Sequence, residues 1–302
     1  MPPGIEVFER GWLSANNIFH FGDEDVSLVD TGYCAHQSMT LNLVQGALRK
    51  HGLATVDKVV NTHLHSDHCG GNALLAKSFD CEILIPAAEA LAVQDWNEDL
   101  LSYQNLGQEC PRFEHQGLLI PGQEILLGRY LWKILAAPGH DPHSVMLYQA
   151  EHRILISADA LWEDGFGVVF PELWGESGFE EVAQTLDLIE DLSIGLVIPG
   201  HGKPFTNAAD SIATARSRLD YLASDPDRNA RHGAKVLLKY KLLDWRSQEI
   251  DVVNSWIAST PALMSAARQL NLDQAEFSRW LIQALVKSGA ATLEGQHLID
   301  KA

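Results

Sequence analysis

Between Thr62 and His68 the chain reads Thr62-His63-Leu64-His65-Ser66-Asp67-His68, which places three imidazoles and one carboxylate within six residues. Imidazole nitrogen and carboxylate oxygen are the donors that suit zinc and other borderline first-row ions. The apolar run Val56 to Asn61 precedes the motif, so the motif is expected at the carboxyl end of a strand. There alternate residues point the same way and His63 and His65 can grip one ion together. The turn that follows carries Asp67 and His68 toward a neighbouring ion, because two cations about 3.5 to 4 Å apart are a common arrangement for metal-assisted hydrolysis. Three later strand ends supply more donors: His140 in Pro138-Gly139-His140, Asp159 in Ser157-Ala158-Asp159, and His201 in Pro199-Gly200-His201-Gly202. Glycines beside His140 and His201 let the backbone turn sharply, and the two oxygens of Asp159 can bridge a pair of ions. Two cations lower the pKa of a shared water from about 15.7 toward 7, making hydroxide available at neutral pH. Asp67 is then the natural orienter of that hydroxide and a proton carrier to the leaving group, which makes it the candidate catalytic side chain.

Positioning such a set requires strands that end together. Short β-rich runs at Ile5 to Phe8, Asn17 to Phe21 and Val26 to Val29 read as hairpin-connected strands. Met39, Leu43, Ala47 and Leu48 then fall at helical spacing before the strand at Val56. A helix at Asn72 to Lys77, strands at Glu82 to Ile85 and Leu131 to Ala136, a hairpin from Val145 to Ile156, a helix from Phe179 to Leu192 and a strand at Leu196 to Ile198 continue the alternation. Sheets covered by helices are implied. Asp95 to Gly117 reads as a long polar loop. Past residue 205 the texture becomes helical, dividing the chain into 1–205 and 206–302. The clearest tail helix starts with Asp273 and Glu276 in capping-box relation and carries Phe277, Trp280, Leu281, Ala284 and Leu285 on one face. A shorter helix from Pro261 before it and a Gly-punctuated strand pair after it suggest a winged-helix-like shape.

Forty acidic against twenty-two basic side chains give a formal charge of −18, a field that repels phosphate backbones and disfavours nucleic acid. Cys34, Cys69, Cys81 and Cys110 show no C-x-x-C spacing, and the first ten residues lack the pattern of a secretory signal. A reducing cytoplasm is the expected compartment. No apolar run approaches the roughly 18 residues of a membrane span.

Taken together, Asp30-Thr31-Gly32, the H-x-H-x-D-H motif, His140, Asp159 and His201 resemble, in kind and order, a metallo-β-lactamase superfamily hydrolase of glyoxalase II type. The resemblance covers residues 1 to about 205 and implies an α/β fold, a four-layer αββα sandwich, followed here by the small helical, winged-helix-like tail. It further implies a first metal on His63, His65 and His140, a second on Asp67, His68 and His201, Asp159 between them, and Asp30 behind them. The cofactor is then two divalent ions, zinc first, with iron or manganese as alternatives. The reaction is hydrolysis of an ester or thioester of a small molecule.

In many relatives the segment after the third-motif histidine reads H-T-P-G, whereas here it reads His140-Asp141-Pro142-His143-Ser144, so His143 is a candidate for the substrate rim. Alanine at 158 replaces a glycine frequent in relatives. Trp162, Phe166, Phe170, Trp174 and Phe179 form either an aromatic loop over the mouth, with Trp162 and Phe166 at its rim, or ordinary packing. Competing functions are an endoribonuclease of the lactamase-β-like 2 type, which shares the tail, a mononuclear iron persulfide dioxygenase, and a non-catalytic binding module. The 42 residues from Asp159 to His201 leave no room for the inserted domain of β-CASP nucleases. An apolar tail helix leaves a homodimer open. His20, His36, His51, His115, His152, His232 and His297 are read as packing or surface residues.

Overall fold

The computed structural model describes residues 1–301. Its first sheet runs, in spatial and chain order alike, through β1 (Ile5–Phe8), β2 (Asn17–Phe21), β3 (Val26–Val29), β4 (Lys58–Val60), β5 (Glu82–Pro86) and β6 (Gly117–Leu119). The hairpin-linked β1 to β3 are antiparallel, while β3 to β6 are parallel and joined by crossovers. The second sheet contains β7 (Glu124–Leu127), β8 (Tyr130–Ala136), β9 (Val145–Gln149), β10 (Ile154–Ala158) and β11 (Leu196–Pro199), with β10 and β11 its parallel pair. Ile18, Val29 and Val60 of one sheet meet Trp132, Ile134, Leu147, Ile156 and Ile198 of the other in a dry interior.

Helices close both outer faces. On the first sheet lie α1 (Gln37–Lys50) and, after the one-turn α2 (Ser66–Cys69), α3 (Asn72–Phe79). Thr40, Val44, Ala47 and Leu48 recur at helical spacing on α1, and its apolar members join Leu28, Val59 and Ile83 in one cluster. This is why Val26–Val29 is buried on both faces. Beyond β5 come α4 (Ala90–Asp95) and the one-turn α5 (Tyr103–Leu106). On the second sheet, α6 (Phe179–Glu190) and α7 (Ala208–Ala223) seat Val182, Leu186, Ile189, Ile212 and Ala215 against Leu155 and Val197. The four-layer α/β architecture is as the sequence implies.

Local expectations differ in places. The segment 95–117 is not a plain polar loop: Leu101, Tyr103, Leu106 and Phe113 are buried, at spacings too irregular to read as a period. Strands β6 and β7 add to the predicted set.

The chain continues with α8 (Pro226–Trp245), the short strand β12 (Ser247–Glu249), α9 (Ile250–Ser259), α10 (Pro261–Gln269) and α11 (Gln274–Lys287). A hairpin of β13 (Ala291–Glu294) and β14 (His297–Asp300) completes a small sheet in the order β12-β14-β13. The polar Ser-Gln-Glu of β12 carries no strand signal of its own and is set by pairing with β14. The capping box of α11 forms as its sequence demands, Asp273 accepting from the Glu276 N–H and Glu276 from the Asp273 N–H. Phe277, Leu281 and Leu285 pack with Leu237, Leu238 and Leu242 of α8, so the apolar stripe of α11 is part of the chain's own core. That same core takes in Leu106, Val168, Phe170 and Leu173 from the first part of the chain, so the tail is packed directly against it.

Candidate metal centre

All seven candidate ligands lie on loops and one helical turn that follow strands at one edge of the sandwich, and all are buried. His63 and His65 follow β4, and Asp67 and His68 lie on α2. His140 follows β8, Asp159 follows β10, and His201 follows β11. Donor atoms of His63, His65 and His140 fall within 4.8 Å of one another, as do those of Asp67, His68 and His201, and those of His63, His68 and Asp159.

Hydrogen-bond partners assign the tautomers of His140 and His63 in the first group. His140 Nδ1 donates to the Val168 carbonyl at 2.5 Å, leaving a lone pair on Nε2. Thr62 Oγ1 donates to Asp30 and so accepts from His63 Nδ1 at 3.2 Å, leaving a lone pair on His63 Nε2. His65 Nε2 faces Asp141 Oδ2 at 3.8 Å, beyond hydrogen-bonding distance. Three ring nitrogens converge: His63 Nε2 is 3.1 Å from His65 Nδ1, which is 2.8 Å from His140 Nε2. A single proton on His65 Nδ1 can serve only one of the two lone pairs that face it, so the cluster keeps a nitrogen donor free for a cation. Burial lowers the His63 imidazole well below its ordinary range, with His68 and His65 acting the same way; burial and His140 bring His65 down to about 4. Neither ring is inclined to fill the gap with a proton.

The second group is charged. His68 Nδ1 donates to Asp30 Oδ2 at 2.8 Å, and its buried Nε2 has no hydrogen-bond partner among the described residues while facing Asp159 Oδ2 at 3.5 Å and Asp67 Oδ2 at 3.9 Å. Burial opposes a proton on His68, but Asp30, Asp159 and Asp67 outweigh it and raise the ring well above its usual range. Burial likewise opposes charge on Asp67 and Asp159. For Asp67, His68 and the 3.1 Å hydrogen bond from His201 Nε2 prevail; for Asp159, His68 and His201 prevail, and both carboxyls are held below the ordinary range. An orphaned imidazole nitrogen facing two carboxylates fits a divalent cation, whose uptake displaces the proton.

Asp30 ties the halves together. Its Oδ1 accepts from the Thr62 N–H at 3.0 Å and its Oδ2 from Thr62 Oγ1 and His68, so it buttresses both the motif's entry and its last ligand. Asp30 sits at φ 57° and Ala158 at φ 47°, left-handed conformations that cost a non-glycine residue about 1 kcal/mol. A glycine at 158 would adopt this φ without cost. At 167 and 200 glycine is required by space: a methyl at Gly167 would run into the His140 ring, and one at Gly200 into Asp159 Oδ1.

Trp162, a rim candidate, does border the centre. Its Nε1–H donates to Asp159 Oδ1 at 3.2 Å, and its ring meets His201 edge-on at 5.6 Å. Phe166 does not line a rim: it is buried at 1% exposure beneath the Arg218 guanidinium, in the apolar cluster that α6 and α7 form with the second sheet. His143 is exposed on the turn after His140, its N–H bonded to Asp141 Oδ1 at 2.8 Å.

Several contributors carry no motif. The Ala15 and Asn16 N–H groups donate to the carbonyls of Asp67 and Gly200, and the Asn16 side chain donates to those of Pro199 and Gly202. The segment thereby clamps two ligand loops to each other. Trp12 stacks on His201 at 5.4 Å and 14°. Phe170 packs edge-on against His65 at 5.3 Å and tilted against His140 at 5.4 Å. From the tail, the Tyr240 hydroxyl reaches Ser66 Oγ at 3.4 Å and Asn229 donates to the Val169 carbonyl at 3.0 Å. Of these, only Phe170, one of the aromatics between Asp159 and His201, carries a signal in the sequence.

A family profile described as the metallo-beta-lactamase superfamily matches residues 10–201. A probable metallo-hydrolase of Methanocaldococcus jannaschii is 26% identical over 63% of this chain and 88% of its own length. A hydroxyacylglutathione hydrolase of Ectopseudomonas mendocina is 29% identical over 61% of this chain, and one of Nitrobacter winogradskyi 30% identical over 42%. The matches span 59% and 44% of those two enzymes, less than two thirds of each. Among solved structures, a metallo-beta-lactamase family protein from Thermus thermophilus superposes over 99% of both chains with a TM-score of 0.59 and 17% identity. A beta-lactamase domain protein from Burkholderia ambifaria covers all of this chain and 92% of its own with a TM-score of 0.57 and 20% identity. These two likenesses are of fold, and they extend over the tail.

Proposed function

The chain belongs to the metallo-β-lactamase superfamily, and from that premise we propose that it hydrolyses an ester or thioester of a small molecule. His63, His65 and His140 would hold one divalent ion and Asp67, His68 and His201 another, with Asp159 between them. Zinc suits this donor set best, iron and manganese being alternatives. Ions bound there would supply Lewis acidity, lowering the pKa of a water and drawing charge from a carbonyl oxygen.

The chain's own groups do the rest. Asp67 turns Oδ2 to His201, which leaves Oδ1 to orient the attacking water, accept its proton and deliver that proton to the leaving group. Asp30 fixes a proton on His68 Nδ1 and the Val168 carbonyl fixes one on His140 Nδ1, so the opposite nitrogens stay available as donors. Phe170 keeps water from the outer edges of His65 and His140.

The observation that carries this reading is the convergence of three buried imidazole nitrogens beside a carboxylate–imidazole set. Partial similarity to hydroxyacylglutathione hydrolases supports a thioester over a phosphodiester. We further read residues 1–205 as the catalytic unit of a cytoplasmic protein, and residues 206–302 as a winged-helix-like unit whose α8 braces the ligand helix through Tyr240.

The test is metal content with parallel turnover of S-acyl glutathione, acyl coenzyme A, a lactone and RNA by zinc- and manganese-loaded protein. About two ions per chain and thioester turnover are expected. A single iron with oxygen consumption, cleavage of RNA alone, or no turnover of any substrate would overturn the proposal.

A further inference from the structure

The hydrolytic reading leaves unused the two indoles beside His201. Trp12 is 60% exposed, a large apolar surface left in water next to a candidate ligand. It is not on a loose tip. Its turn is closed by the Ser14 N–H bonding to the Gly11 carbonyl at 3.0 Å. Arg10 before it bonds to Asn17 and Thr40, and Ala15 and Asn16 after it bond to the Asp67 and Gly200 carbonyls. The indole is therefore held in place by the ligand loops themselves.

Trp162 stands across it, the two rings 5.3 Å apart at 66°, and each also meets His201, Trp12 flat at 14° and Trp162 edge-on at 79°. Two indoles and an imidazole thus make an aromatic corner, and Trp162 Nε1–H anchors that corner to Asp159. Propping His201 would need contact with one face of the imidazole and no more. The exposed remainder of Trp12 is surface for something else to cover. A pair of crossed indoles offers a further ring both a face and an edge, the geometries that aromatic pairs prefer at centroid distances of about 4.5–7 Å. A hydroxylated acyl chain would instead lose hydration there without gaining a partner.

We propose that Trp12 and Trp162 wall a subsite for a flat, apolar acyl group, aryl-bearing by preference, on the substrate whose carbonyl lies at the centre. This rests on the hydrolase reading for the reaction but not for the binding. Phenylacetyl and acetyl thioesters of one small neutral thiol, turned over by metal-loaded wild type, Trp12→Ala and Trp12→Phe, give the first measurement. Wild type is expected to favour the phenylacetyl compound. In Trp12→Ala the phenylacetyl-to-acetyl ratio of kcat/KM should fall about tenfold, carried by KM, a size in keeping with loss of one aromatic contact and its buried area; Trp12→Phe should retain most of it. An unchanged ratio, with both substrates slowed alike, would make Trp12 a mere prop for His201 and overturn the proposal.

The second measurement needs no turnover: phenylacetate, with acetate as control, is titrated against indole fluorescence. Saturable quenching by phenylacetate in wild type, lost in Trp12→Ala, is expected. Identical responses in the two proteins, or none in wild type, would overturn the subsite. If no thioester were hydrolysed while quenching behaved as expected, the reaction assignment would fall and the aromatic subsite would stand.

Discussion

The two halves of the centre are built from similar residues and kept ready by opposite means. Around His63 and His65, burial and the neighbouring imidazoles disfavour a charged ring, and a threonine hydroxyl and a backbone carbonyl choose which nitrogens of His63 and His140 point inward. Around His68, three carboxylates overcome burial and load the ring with a proton. One half is a cluster of converging imidazole nitrogens; the other is an ion-pair network that a cation must enter by exchange. The first depends on shape and the second on charge, so the two should fail differently under substitution.

The largest effect is expected where the halves meet. Asp159→Ala removes the carboxylate facing His68 at 3.5 Å and His140 at 3.4 Å, and should reduce kcat by about a thousandfold or more. Circular dichroism should show the fold intact, and residual activity within tenfold of wild type would break the view that the halves act together. Next come the paired steric changes. Gly167→Ala pushes on His140 and should weaken the neutral half, whereas Gly200→Ala pushes on Asp159 and on His68 and should weaken the charged half most. A displaced ligand should cost about 10 to 100-fold in affinity for its ion, read by competition with a metal-binding dye. Loss of both ions in both variants would erase the distinction.

A gentler change isolates charge. Asp30→Asn keeps an acceptor and tolerates the left-handed backbone at φ 57°, while removing the negative charge 2.8 Å from His68. One ion should bind about tenfold more weakly and the other as before. Equal weakening of both would show that Asp30 acts by shape through Thr62.

The smallest effect concerns acid stability, which must be separated from metal loss. His20 lies between the sheets against Trp132, both ring nitrogens unpartnered among the described residues, and burial lowers its pKa to about 3, against a weaker upward pull from Asp25. A base whose folded pKa is depressed contributes nothing adverse above its unfolded value near 6.5 and costs stability as pH falls from there toward 3. At pH 5 that linkage is on the order of 2 kcal/mol. In metal-free protein, His20→Leu should flatten denaturant stability between pH 6.5 and 4; an unchanged slope would assign the acid sensitivity to the centre itself.

Much of this was legible in the chain. The ligand motif is contiguous, it follows an apolar strand, and the later ligands each terminate another strand, so residue type and position name the donors without tertiary information. The helix from Gln274 is equally self-announcing, since its cap and stripe are local. Trp162 and Phe166, four residues apart in the same loop, were indistinguishable by type, yet one donates to Asp159 and the other is sealed beneath Arg218. Asn16, Phe170 and Tyr240 carry no chemistry by themselves and take their roles from contacts as distant in sequence as Asn16 with Gly202 and Tyr240 with Ser66.

The sequence by itself determined which atoms can bind a cation and that strands would bring them to one edge, because both follow from side-chain chemistry and local hydrophobic pattern. Only the tertiary structure decided which nitrogen of each ring faces inward, which half carries charge, and that an exposed indole from the twelfth position lies flat on His201. Those outcomes depend on partners that approach from elsewhere in the chain, and a hydrogen bond or a local field has no counterpart in sequence spacing.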